Sequence, residues 1–164
     1  MFNHTLRIGV VFTALTFPIP VWAGTVYLDG PIDSQIVDYT LAKLRPGDTL
    51  ALNSQGGSLS DAHRLAKYIR ANGIDTRVNS TGWCLSACVL VYASGVKRTA
   101  GPNALFLIHA VRNLDGPTKE GTSWFLDQLV GYGVSERVAY LPVFNDDEVP
   151  MNYVLAKYVG LVTD

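Results

Sequence analysis

A serine, a histidine and a double glycine carry the chemistry legible in this chain. Ser86 sits in Gly82-Trp83-Cys84-Leu85-Ser86-Ala87-Cys88, and His109 closes the apolar run Ala104-Leu105-Phe106-Leu107-Ile108. Upstream, Asn53-Ser54-Gln55 runs into Gly56-Gly57. A hydroxyl becomes a useful nucleophile when a base takes its proton, and an imidazole titrates near neutral pH. A glycine lets a backbone N–H approach a reacting carbonyl with no Cβ in the way. Together these are the parts of an acyl-transfer site: nucleophile, base, and N–H groups aimed at an oxyanion. Taken singly, each is commoner as structure: a back-bonded serine in an apolar helix, a satisfied histidine at a strand end, a plain turn. Lys119 is the other candidate base, for a Ser–Lys pair, but His109 makes it superfluous. His63 falls at the edge of a helical stripe and His4 near the N-terminus, so neither is assigned a role.

The surrounding pattern alternates strand and helix. Thr25-Val26-Tyr27-Leu28 reads as a strand, Ser34 to Leu44 as a helix stopped by Arg45-Pro46-Gly47, and Thr49 to Leu52 as a strand entering the double glycine. Ser58 with Asp61 three residues on reads as a helix start, followed by the stripe Leu59, Ala62, Leu65, Ala66 and Ile69. Ile74 to Val78 is the next strand, and Leu85 to Tyr92 a buried helix with Ser86 at its start. Lys97 to Ala100 and Ala104 to His109 are two more strands. Beyond a polar loop, a helix is expected after a Thr122 or Ser123 cap, another from Ser135, an acidic turn over Asn145 to Glu148, a helix from Asn152 to Tyr158, and a last strand at Leu161-Val162. Such alternation specifies a parallel α/β arrangement.

The chain has 164 residues, 48% of them hydrophobic and 16% charged, with net charge −1. This is the composition of one globular domain, and the absence of a basic block argues against nucleic acid as a partner. The first 23 residues read as a targeting segment. Arg7 precedes an apolar stretch from Ile8 to Trp22, and Val21-Trp22-Ala23 suits cleavage after Ala23. A retained anchor is the alternative, but the stretch is shorter than the roughly 20 residues of a span and contains Pro18 and Pro20. The expected organisation is thus a signal peptide over 1–23 and one domain over 24–164, in the periplasm or secreted. An oxidising compartment permits disulfides. Cys84 and Cys88 would stand about 5–6 Å apart if both were helical, too far for an unstrained bridge. With Cys84 in the turn before the helix a bridge becomes feasible and would clamp the turn carrying Ser86. Two small buried hydrophobes are the alternative. No metal site or cofactor is read from the sequence.

Four segments, in order, resemble the proteolytic subunit of the Clp protease. Asn53-Ser54-Gln55-Gly56-Gly57-Ser58 is similar to its Asn-Ser-Pro-Gly-Gly loop. Leu85-Ser86-Ala87 falls at its Ala-Ser-Met nucleophile. Pro102-Asn103-Ala104 through Ile108-His109 resembles its Pro-Asn-Ser to Ile-His segment. Ala156 to Val162 is similar to its closing Ala-x-x-Tyr-Gly-Leu-Val, with one residue inserted before Gly160. The Cys-x-Ser-Ala-Cys variant behind a signal peptide is closer still to a group of periplasmic Clp-like proteins. Gln55 in place of proline and Cys88 in place of glycine are departures. So is a shorter segment between His109 and Gly160, which in the Clp subunit carries the handle by which rings stack.

The resemblance implies an α/β fold of the Clp/crotonase type: stacked β-β-α units in a right-handed spiral, with a mainly parallel sheet and a shortened C-terminal helical handle. It implies a serine peptidase with Ser86 as nucleophile, His109 as base, and the N–H groups of Gly57 and Ala87 as oxyanion hole. The family's acid lies shortly before the last helix. Counting back from Gly160 gives Glu148, and the inserted residue shifts this to Asp147, which we take as the expected acid. Glu148 and Asp146 are neighbouring alternatives, and Asp115 a rewired one. A peptide or protein substrate and a homo-oligomer follow, without an ATP-driven unfoldase outside the cytosol. A non-catalytic Clp-fold assembly or binding protein is the competing reading. A crotonase-like acyl-CoA enzyme is a third, but an exported chain would not meet coenzyme A.

Overall fold

The computed structural model describes residues 23–145 and 147–163. The signal segment expected over 1–23 therefore lies outside the described residues, apart from its last residue. The elements run β1 (Thr25–Asp29), α1 (Ser34–Lys43), β2 (Thr49–Asn53), α2 (Leu59–Ala71), β3 (Asp75–Val78), β4 (Trp83–Leu85) and α3 (Ala87–Ala93). They continue with β5 (Arg98–Ala100), β6 (Leu105–Ile108), β7 (Arg112–Asn113), β8 (Gly116–Pro117), α4 (Lys119–Gly131), β9 (Val149–Met151) and α5 (Tyr153–Tyr158). Short 3₁₀ turns lie at Glu136–Tyr140 and Val143–Asn145.

Local chemistry explains the first half. Asp33 caps α1 by accepting from the Ile36 N–H at 2.8 Å, and Ser58 caps α2 by accepting from the Asp61 N–H at 3.3 Å. The α2 stripe Ala62, Leu65, Ala66 and Ile69 is buried, as its 3.6-residue period demands. Every residue of α3 is buried, so this helix has no solvent face and runs through the core against α2.

The strands divide between two sheets. In the first, β1, β2, β3 and β5 lie side by side and all parallel, with Thr25 opposite Thr49, Thr49 opposite Asp75 and Thr76 opposite Arg98. In the second, β4 pairs parallel with β6, and β9 pairs antiparallel with β6, Phe106 facing Met151. β7 and β8 form a separate two-stranded hairpin. This corrects the expected β-β-α spiral with its mainly parallel sheet. From β3 to β6 consecutive strands alternate between the two sheets, and the second sheet is mixed. The reason is β9: the chain returns from α4 through two 3₁₀ turns and reaches β6 from the opposite direction.

Other expectations shift with it. α4 starts at Lys119 with Thr118 as its cap residue, four residues earlier than a Thr122 cap would place it. The segment from Ser135 is a 3₁₀ turn, not an α-helix. Leu161 and Val162 are not a strand. They are buried beneath Arg98, whose Nε–H donates to the Leu161 carbonyl at 2.8 Å. Arg98 also reaches the carbonyls of Tyr132 at 3.0 Å and Gly160 at 2.9 Å. One buried cation therefore ties the end of α4 and the C-terminal segment to the first sheet, and burial lowers its pKa, with Arg70 nearby adding to the effect.

Candidate active site

Ser86 occupies the junction of β4 and α3. Its φ of 56° makes it the one non-glycine residue with positive φ among the described residues. Such a conformation costs about 1–3 kcal/mol and needs support from its surroundings. The support is visible. The Ser86 N–H donates to the Leu107 carbonyl at 2.7 Å, and its own carbonyl accepts from the Val89 N–H at 2.9 Å. Ser86 is the N-cap of α3, yet its hydroxyl makes no capping bond. The side chain is left half-buried at the rim of a cleft.

Cys84 and Cys88 are joined by a disulfide that spans this turn, with Cα atoms 5.2 Å apart and both residues fully buried. Cys84 lies on β4 and Cys88 in the first turn of α3, so the bridge fastens strand to helix on either side of Ser86.

The double glycine packs against the same turn. Ser54 pairs with β4 through its N–H to the Trp83 carbonyl and its carbonyl to the Leu85 N–H, both at 2.9 Å. Gly56 follows at φ 90°. Gly57 sits in a parallel bridge with Ile32, formed by the Gly56 carbonyl and the Ser58 N–H. In such a ladder the groups flanking a residue face the partner strand, so the N–H of Gly57 itself faces away from Ile32.

His109 follows β6. Its ring is half-buried, and Nδ1 lies 2.7 Å from the carbonyl oxygen of Ala110. Gly57, Ser86, Ala87 and His109 line one cleft of about 380 Å³. Ser58, Leu59, Val111, Arg112 and Phe125 complete its wall. Those five were not singled out as site residues. The position of Val111 and Arg112 just after His109 was the available signal; for Leu59 and Phe125, apolar helix positions, none distinguished cleft from core.

Among the described residues the remaining candidates do not line the cleft, although the pairing of Ile108 with Val149 runs the acidic segment alongside His109. Asp147 and Glu148 are exposed just ahead of β9, and neither makes a hydrogen bond or ion pair with His109. Asp146 lies outside the described residues. Asp115 is exposed in the β7–β8 turn, its N–H donating to Asn113 Oδ1. Lys119 is an exposed first residue of α4 and does not line the cleft. His63 packs edge-on to Trp124 with ring centroids 5.0 Å apart, and burial followed by the charge of Lys67 lowers its pKa. Among the described residues no cluster of three His, Cys, Asp or Glu stands in metal-binding reach.

A family model for the Clp protease matches residues 26–120. The chain belongs to the Clp protease family. The matched stretch contains Gly57, Ser86, Ala87 and His109 and ends before Asp146, Asp147 and Glu148. Among solved structures, a ClpP1 mutant from Listeria monocytogenes is similar, with a TM-score of 0.60 and 21% sequence identity over 84% of this chain and 88% of that one. This likeness identifies the fold as the Clp-protease fold, a two-layer α/β sandwich with mixed sheets, in place of the crotonase-type spiral. No curated protein matches the chain. Membership of the Clp protease family supports a serine-protease-like hydrolytic function.

Proposed function

We propose that this Clp-family chain is an exported serine peptidase in which Ser86 is the nucleophile and His109 the general base. The observation that carries the reading is the convergence of Ser86, His109, Gly57 and Ala87 on one cleft. The Ser86 hydroxyl, unspent on a helix cap, attacks the scissile carbonyl while the imidazole takes its proton. The N–H groups of Gly57 and Ala87 receive the oxyanion, each donor being worth about 10²–10³ in rate. The protonated imidazole then returns its proton to the leaving amine, and water repeats the sequence to release the acyl group. Peptides are the substrate class, and a homo-oligomer is the assembly that the family relation favours. Export rests on the apolar segment ahead of Gly24. It removes the chain from cytosolic ATP-driven unfoldases and suits the Cys84–Cys88 disulfide.

A fluorophosphonate probe tests the reading. It is expected to label the folded wild type at Ser86 and to fail on Ser86→Ala and His109→Ala. One observation favours the second reading, a non-catalytic binding module: among the described residues the Ser86 hydroxyl makes no hydrogen bond to His109. Catalytic hydrogen bonds often tighten only with substrate in place. Folded wild type that is inert to the probe and to a peptide library would select the binding module.

A further inference from the structure

His109 has one hydrogen bond among the described residues, from Nδ1 to the Ala110 carbonyl oxygen. A carbonyl oxygen only accepts, so Nδ1 carries the proton and Nε2 presents its lone pair. That is the tautomer a general base needs. The peptide unit supplying this oxygen is gripped from its other side. In a trans peptide the C=O and N–H point in opposite directions, and the Val111 N–H donates to Thr122 Oγ1 at 2.9 Å. Thr122 is fully buried in the first turns of α4, and its hydroxyl donates in turn to the Thr118 carbonyl at 2.7 Å. The Thr118 N–H closes the loop on the Val111 carbonyl, also at 2.7 Å. This buried hydroxyl thereby sets the plane of the Ala110–Val111 peptide and the direction of its carbonyl.

We propose that the Ala110 main-chain carbonyl, aimed by Thr122, orients His109 in place of a side-chain carboxylate, and that Thr122 is a positioning residue for the base. The proposal rests on the Ser86–His109 reading above. In a Ser-His-acid triad the carboxylate fixes the imidazole tautomer, fixes its orientation and stabilises the imidazolium that forms. The carbonyl performs the first two tasks and offers only a dipole for the third. The site then works as a Ser–His pair with its tautomer controlled, and no carboxylate ionisation appears in its pH profile.

Two measurements on the full chain decide it. Nitrogen-15 NMR reads the His109 tautomer directly. The Nδ1–H form is expected in the wild type and in Thr122→Ser, with loss of that form in Thr122→Val. Fluorophosphonate labelling of Ser86, followed against pH, is expected to slow by about 10²-fold in Thr122→Val, the cost of a base displaced by about 1 Å. Thr122→Ser, which keeps the hydroxyl, is expected to stay within about threefold of wild type, well inside that effect. An Nε2–H wild type would overturn the proposal. So would a folded Thr122→Val that labels normally, or a loss of about 10³-fold or more in Asp146→Asn, Asp147→Asn or Glu148→Gln, which would return the role to a carboxylate. If Thr122→Val does not fold, the wild-type and Thr122→Ser tautomers and the carboxamide variants still decide. A wild type unlabelled at Ser86 refutes the peptidase reading instead, and the tautomer still reports what holds the ring.

Discussion

Gly56 packs directly against Ser86: a Cβ built on the glycine would stand 2.9 Å from the serine Cβ and 2.5 Å from the Leu85 carbonyl oxygen. The glycine loop and the serine turn are thus one unit, held in contact by the absence of a single carbon.

Gly56→Ala is therefore expected to damage stability and site together. The new methyl group meets backbone, which cannot swing aside, and φ 90° disfavours any L side chain. A loss of about 2 kcal/mol is expected in urea unfolding, in the range for a strained backbone position. Fluorophosphonate labelling should fall even at temperatures where the variant remains folded, because the contact displaced is Ser86 itself.

Removing the Cys84–Cys88 bridge tests how far the strained serine depends on it. The closed loop is short, so the chain-entropy contribution is only about 2 kcal/mol. The local effect should be larger than that figure suggests. Freed of the bridge, Ser86 can relax from its positive φ, and the hydroxyl leaves the cleft. Calorimetry of the Cys84→Ala/Cys88→Ala variant should show a modest drop in Tm, and labelling a much steeper loss. Equal, small losses in both would mean that the hydrogen bonds to Leu107 and Val89 suffice.

Arg98→Met should be among the most disruptive single changes. It leaves the carbonyls of Gly160 and Leu161 without their donor, while that of Tyr132 keeps the Arg70 guanidinium at 2.8 Å. Unsatisfied buried acceptors cost about 1–3 kcal/mol each, tempered here by water entry, so a net loss of about 3 kcal/mol is expected. Arg98→Lys should rescue little, since an ammonium cannot fork to three carbonyls. Hydrogen exchange should locate the added opening at the end of α4 and in the last residues.

His63 gives the fold an acid-sensitive element. Its folded pKa lies below the ordinary imidazole value of 6.5, through burial against Trp124 and the neighbouring Lys67 charge. The unfolded chain therefore binds more protons between the two values. This stabilisation is complete above pH 6.5 and is lost as pH falls through the lower folded value. NMR titration should place the His63 midpoint below 6.5. In denaturant melts, His63→Gln should show a smaller stability loss on acidification than wild type.

How much of this was legible depended on range. Ser58 and Asp61 announce the start of α2 because a capping bond spans three residues. The wholly apolar stretch from Val89 to Ala93 announces a buried helix for the same local reason. β4 was invisible within what read as a helix start, since Trp83–Leu85 becomes a strand only by pairing with Leu105–Leu107 and Ser54. β9 was hidden next to an acidic turn, because Val149-Pro150-Met151 has no strand pattern until β6 supplies its partner. The start of α4 was misplaced because the bonds between Thr118 and Val111 link two segments of chain that propensity treats separately.

The sequence by itself determined the chemical inventory: a serine beside a bridgeable cysteine pair, a histidine after an apolar run, and two adjacent glycines, in the order that the Clp protease family uses. These are properties of residue type and spacing, and they survive without coordinates. Tertiary structure alone decided that the strands divide into two sheets, that Leu59 and Phe125 wall a cleft, and that the imidazole meets the carbonyl of the next residue. Each of those depends on the direction of a peptide plane or a contact between distant segments. Neither is encoded by one residue's identity, because the carbonyl that holds His109 belongs to every amino acid alike and is aimed only by the hydroxyl of Thr122, eleven residues beyond Val111.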